Sequence, residues 1–233
     1  MSLILCVETA TETCSIALSQ DGVCLKEHTL DEHMRHSSAL TPMIKELLSA
    51  TALSMADLDA VCVSDGPGSY TGLRVGVTTT KAICFAHNIP LIAISSLKSI
   101  AHGVRKELPI DYTGLIIPTI DARRMEVYLA IYDQGLNPVE SAHNLIYTQE
   151  SIQELSDRYQ GRVMYICGHG AQKLSESDIV LSGQIKVYPA LCNAAHLCAE
   201  ATEMFHNEDF VSAIYHKPNY YKSPHVTVPK HKV

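Results

Sequence analysis

No apolar run in the 233-residue chain approaches the about 18 to 20 residues that a membrane-spanning helix needs. Residues 1–20 contain Glu8 and Glu12 and no basic stretch, so a secretory signal is not expected there. Basic residues are in deficit: 18 Lys and Arg against 25 Asp and Glu give a formal net charge of -7. That balance argues against a self-sufficient nucleic-acid binder, because phosphate contacts dominate such affinity. No Cys-x-x-Cys pair appears among the eight cysteines, so neither a zinc ribbon nor a disulfide framework is expected. Cys6, Cys62 and Cys167 sit inside apolar runs and read as small buried hydrophobes of a reducing, cytoplasmic compartment. No Gly-x-Ser-x-Gly elbow and no Gly-Lys-Ser/Thr loop is present, which removes the usual signatures of a serine hydrolase and of a P-loop NTPase.

What is present is enough apolar residue for a sizeable core: 46% hydrophobic against 18% charged. The chain also carries a faint duplication. Leu3–Glu8, a polar turn, Cys14–Leu18 and Gln20-Asp21-Gly22 are matched by Ile116–Asp121, a turn, Val127–Ile131 and Asp133-Gln134-Gly135. A constant offset of 113 places Glu8 on Asp121 and Gly22 on Gly135. Each copy continues into a third strand, 23–30 and 139–146. A second pair, Val61–Gly68 and Val163–Gly170, shares a strand-then-Gly-x-Gly form at an offset of 102. Apolar residues at helical spacing predict helices over 36–50 and 71–87, and another over 194–205. These patterns predict an α/β chain of two related lobes, 1–103 and a thinner 104–233, with a ligand crevice between them.

The chemistry-bearing residues leave alternatives open. Glu8 and Asp121 end buried strands before Thr/Ser-rich or polar turns. Such carboxylates, with Thr9 and Thr11, can hold a hard cation and phosphates, or can accept hydrogen bonds from turn amides. Gly66, Gly68 and Ser69, and likewise Gly168 and Gly170, form either phosphate loops or tight strand-to-helix turns. Gly72 and Gly76 one helical turn apart, followed by Thr78-Thr79-Thr80, imply close approach of a helix, from this chain or from a partner. His33 and His36 lack a third metal ligand nearby. Beyond Phe210 there is no acid and four Lys, so the charge is -11 through residue 209 and +4 after it. This end reads as a solvated tail, or as a contact for RNA or an acidic partner.

Several of these stretches together resemble the bacterial TsaB (YeaZ) family. They are Glu8-Thr9-Ala10-Thr11, His36-Ser37 with Pro42, Gly66-Pro67-Gly68-Ser69-Tyr70-Thr71-Gly72-Leu73-Arg74-Val75-Gly76, Asp121-Ala122-Arg123 with Glu126-Val127-Tyr128, and Pro218–Lys222. The resemblance implies a duplicated two-lobed actin-like, Hsp70-like (ASKHA) fold with a reduced second lobe. It implies a non-catalytic subunit needed to form N6-threonylcarbamoyladenosine in tRNA, supporting the transferase TsaD together with TsaE and meeting tRNA through that complex. It also implies no catalytic residue and no metal or cofactor held alone, with ATP or metal entering only at an interface with partners. Ser96 and Ile100 stand where the catalytic paralogues carry a His-x-x-x-His metal pair. The implied partner surface is a helix pair bearing His36, Leu40, Met43, Leu47, Gly72, Leu73, Gly76, Thr79 and Thr80, used for a homodimer when the chain is alone. The vestigial phosphate-loop candidates are then Glu8, Thr9, Thr11, Gly66, Gly68, Ser69, Asp121, Gly168 and Gly170. The alternative is an independent metal- and nucleotide-dependent transferase or kinase of the same fold.

Overall fold

A computed structural model describes residues 1–30 and 36–221. The first sheet opens with a meander, β1 (Leu3–Glu8), β2 (Cys14–Gln20) and β3 (Val23–Leu30). The β2–β3 turn is Asp21-Gly22, both at positive φ (48° and 84°). Such residues suit a two-residue hairpin, whose primed turn matches strand twist. Helix α1 (His36–Ala50) follows, then β4 (Ala60–Ser64), α2 (Tyr70–His87) and β5 (Leu91–Ile94). Ser69 caps α2 by accepting from the Gly72 amide, and Asn88 ends it in the left-handed conformation. The sheet order is β3-β2-β1-β4-β5, with β4 parallel to β1. β1, β2 and β4 are covered on both faces, which explains why they read as near-continuous apolar runs.

Helix α3 (Ser96–Glu107) leads to the second sheet. Its strands are β6 (Leu115–Asp121), β7 (Glu126–Tyr132) and β8 (Pro138–Ile146), then, after α4 (Gln149–Arg158), β9 (Met164–Cys167). A short α5 (Gln172–Ser175) precedes β10 (Ile185–Tyr188). The order β8-β7-β6-β9-β10 repeats that of the first sheet strand for strand. The duplicated two-lobed α/β fold is therefore the one observed. The reduction of the second lobe lies in its helices, of 10 and 4 residues against 15 and 18 in the first. β10 had no sequence signal beyond two apolar residues.

Three expectations need adjustment. The 102 offset is not the structural one: Leu5 pairs with Val61, while its counterpart Pro118 pairs with Cys167 rather than Val163. Gly168 and Gly170 therefore stand four residues deeper against their sheet than Gly66 and Gly68. The division drawn at residue 103 falls inside the unbroken α3. The helix expected over 194–205 is a 3-10 turn at 194–196 followed by α6 (Cys198–His206), and both pack on the first sheet against Ile4, Cys6, Ala17 and Ile92.

The end of the chain also differs from a solvated tail as far as Tyr221. Val211 bridges to Leu91, Lys81 Nζ donates to the carbonyls of Ile214 and His216, and the Asn219 amide donates to the Asp65 carbonyl. Tyr220 packs on Tyr70, and Tyr221 on Tyr128 of the second sheet. Residues 210–221 thus form a strap from one lobe to the other. Lys222, Lys230 and Lys232 lie outside the described residues, as do His33, Met34 and Arg35.

Candidate functional site

The expected phosphate site is built from the ends of β1 and β4. Glu8 is fully buried, and its Oε1 accepts from the Ala10 amide at 2.8 Å and from Ser64 Oγ at 2.5 Å. Its Oε2 has no hydrogen-bond partner among the described residues, and neither has the buried Thr11 Oγ1. Burial pushes the Glu8 carboxyl up to about 7, against the lowering pull of Ser64 and Ala10. Thr9 donates from Oγ1 to the Gly72 carbonyl and is buried. Of the two chemistries the sequence left open for Glu8, turn acceptance is therefore the one its Oε1 performs.

The Gly loop is close-packed. A Cβ on Gly66 would stand 2.5 Å from the Asn219 carbonyl oxygen, and one on Gly68 2.3 Å from that of Ala10. Ser69 donates its amide to Ala10 and caps α2 with its hydroxyl. Close packing against the strap and the β1–β2 turn accounts for glycine at both positions.

Asp121 is not a twin of Glu8 in environment. It is exposed, and its Oδ1 accepts from the Arg123 amide at 2.5 Å and from Lys173 Nζ at 2.7 Å. Burial lowers the His169 imidazole, while Glu12 and Asp121 pull it upward. Gly168 fits closely over the Thr119 carbonyl, and Gly170 against the side chains of Val127 and Thr119. Both act as packing positions. No group of three or more His, Cys, Asp or Glu among the described residues could hold a metal ion. Ser96 and Ile100 are buried in α3, and Ile100 packs in the core between α3 and the second sheet.

The expected partner surface is turned the wrong way. Leu40, Met43, Leu47, Leu73 and Thr80 are buried in the chain's own first lobe. Gly72 and Gly76 face Thr9: a Cβ on either would lie within 2.2 Å of the Thr9 carbonyl oxygen or Thr9 Oγ1. Seven of the nine residues therefore have no surface left for a partner, because the same apolar stripe that would suit one is spent on the sheet. His36 and Thr79 remain partly exposed. The outward side of α2 carries Thr71, Arg74, Thr78, Ala82 and Phe85 instead. Phe85 is 73% exposed, and beside Lys81 the strap presents Ile214 at 62% and Tyr215 at 80%. Sequence reasoning missed these three. An exposed Phe on an otherwise polar helix side was the available signal.

A family model described as "TsaD: tRNA N6-adenosine threonylcarbamoyltransferase" matches residues 30–222. The tRNA threonylcarbamoyladenosine biosynthesis protein TsaB of Buchnera aphidicola is 30% identical over 68% of this chain and 72% of that protein. The protein of the same name from Escherichia coli is 28% identical over 94% of both chains. The chain belongs to the TsaB (YeaZ) family. The solved YeaZ of Pseudomonas aeruginosa superimposes with a TM-score of 0.77 at 25% identity, over 94% of this chain and all of that one. Membership in the TsaB family ties the two-lobed fold to proteins named for tRNA threonylcarbamoyladenosine biosynthesis. No helix among the described residues is long and apolar enough to cross a membrane.

Proposed function

We propose that this chain is a non-catalytic subunit for forming N6-threonylcarbamoyladenosine in tRNA, binding the transferase TsaD and working with TsaE. The observation that carries the reading, beside family membership, is the set of large exposed apolar side chains Phe85 on the outer side of α2 and Ile214 and Tyr215 on the strap, which Lys81 of the same helix holds. Large exposed apolar side chains suit the desolvated centre of a protein interface. The inward-tied Glu8 and the close-packed Gly66 loop support a supporting role over an independent nucleotide-using one. ATP or a metal ion then enters at interfaces with the partners, and the same outer side of α2 pairs two copies when TsaD is absent.

Phe85→Glu tests this. Because Phe85 is exposed, the fold is expected to survive while co-elution with TsaD weakens by at least about tenfold, in the range of an interface anchor. Pairing at unaltered affinity would remove this surface from the proposal. Reconstituted tRNA modification that runs at full rate without the chain would remove the supporting role altogether.

A further inference from the structure

The chain is acidic, yet two adjacent arginines present guanidinium groups with no partner among the described residues. Six arginines fall among the described residues. Four are anchored: Arg74 over the Tyr70 ring, Arg105 on the carbonyls of Pro109 and Gln134, Arg158 on Glu140, and Arg162 on the Gly114 carbonyl. Arg123 and Arg124 are exposed, and their guanidinium groups make no hydrogen bond, ion pair or ring contact with any described residue.

They occupy the β6–β7 turn, and the turn is built to leave them unpaired. Both sit at positive φ, 76° and 51°, a region that costs a non-glycine residue free energy and clusters at functional sites. The turn is closed by Ala122 donating to the Glu126 carbonyl and Glu126 donating to the Arg123 carbonyl. Its two acids are engaged elsewhere. Asp121 takes the Arg123 main-chain amide and Lys173 Nζ, while Glu126 Oε1 accepts from Asn144. Lys173 also donates to the Glu126 carbonyl at 2.8 Å, fixing the turn from beneath. Two residues beyond the turn on β7 lies Tyr128, on which Tyr221 of the strap packs with ring centroids 5.8 Å apart. The twelve residues that follow Tyr221 carry Lys222, Lys230 and Lys232 and no acid. Tyr221, the last described residue, thus lies against the same β7 strand that follows the arginine turn.

We propose that Arg123 and Arg124 contact the phosphodiester backbone of the tRNA substrate. Guanidinium forks match phosphate oxygens in geometry and charge, and paired aromatics beside basic residues suit a nucleic-acid chain. The inference rests on the tRNA-modification reading and adds to it a direct contact by this subunit.

The test uses fluorescence anisotropy of labelled tRNA with the full chain, alone and with TsaD, from 50 to 200 mM salt. Co-elution with TsaD is measured separately. Arg123→Glu with Arg124→Glu is expected to weaken tRNA binding by about tenfold at the lowest salt. It should also cut the slope of log affinity against log salt by about one unit per lost phosphate contact, with TsaD co-elution unchanged. Arg123→Gly with Arg124→Gly suits the backbone at positive φ and should give the same direction of change, which guards against a misfolded turn. The proposal is overturned if both variants keep wild-type affinity and salt slope, if the wild-type chain leaves tRNA binding unchanged both alone and with TsaD, or if the variants lose TsaD instead of tRNA. Failure of the wild-type chain to co-elute with TsaD would count against the proposed function, a separate readout.

Discussion

The amide of Asn219 donates to the carbonyl of Asp65 at 2.7 Å, and this one bond lays the C-terminal strap across the Gly66 turn. Gly66 is at φ 129°, and a Cβ there would meet the Asn219 carbonyl oxygen at 2.5 Å. Gly66→Ala therefore combines a backbone conformation that L residues avoid with a clash against main chain, which has no flexible end to yield. We expect a loss of about 2 kcal/mol, read as a fall in Tm of roughly 4 to 8 °C for a chain of this size. Limited proteolysis should cut the strap first. An unchanged proteolytic pattern would mean that the strap is held without this contact.

Gly76 separates two readings of a small residue in a helix. If it faced a partner, Ala would raise the stability of the isolated chain by roughly 0.5 to 1 kcal/mol through helix propensity. A Cβ at Gly76 would instead lie 2.2 Å from Thr9 Oγ1, inside the buried contact between α2 and the end of β1. Gly76→Ala is therefore expected to lose about 1 to 3 kcal/mol by overpacking. Thr9→Ala in the same chain should recover part of that loss, since the two sites touch and should couple in a double-mutant cycle. Chemical denaturation of the four proteins measures the sign.

The same contrast explains what the sequence could and could not say. The two meanders were legible because strands covered on both faces read as apolar runs, and because Glu8, Gly22, Asp121 and Gly135 are landmarks at fixed spacing. The four-residue shift of β9 was not, since one Gly-x-Gly pair looks like another and pairing partners lie far off in sequence. Leu40, Met43 and Leu47 form a helical stripe, and a stripe has the same period whether a sheet or a partner covers it. Glu8 and Asp121 occupy matched positions in the repeat, but their opposite burial depends on what lies over each strand end. The strap gave no local signal because its anchors, Lys81, Asp65 and Tyr70, are more than 100 residues away.

The arginine turn carries a stability prediction independent of tRNA. Arg123 holds φ 76° with an exposed side chain that makes no hydrogen bond or ion pair with any described residue. Glycine adopts that conformation without steric cost. Arg123→Gly is expected to leave stability unchanged or raise it by up to about 1 kcal/mol, the strain relieved outweighing the added freedom of the unfolded chain. Thermal unfolding checks this. A clear loss of stability would mean that the guanidinium group supports the fold, and the turn would then be structural.

Glu8 gives a pH dependence with a definite sign. Its carboxyl is raised by burial to about 7 in the folded chain, while an unfolded Glu titrates near 4.3. Below the unfolded value both states are protonated and the group contributes fully. Between the two values the folded state holds a proton that the unfolded state has released, so stability falls as pH rises through about 7 and then levels. The full span corresponds to about 4 kcal/mol. Glu8→Gln keeps the size and the Oε1 acceptor for Ala10 and Ser64 without the ionisation. The Tm of this variant should therefore gain on the wild-type Tm from pH 5 to about pH 7 and level off towards pH 8. His169 and His196, whose imidazoles are lowered by burial, titrate in both proteins and drop out of the difference. A gap between the two proteins that does not change over this range would show that Glu8 is ionised throughout, and so compensated by a positive charge or bound cation at its Oε2.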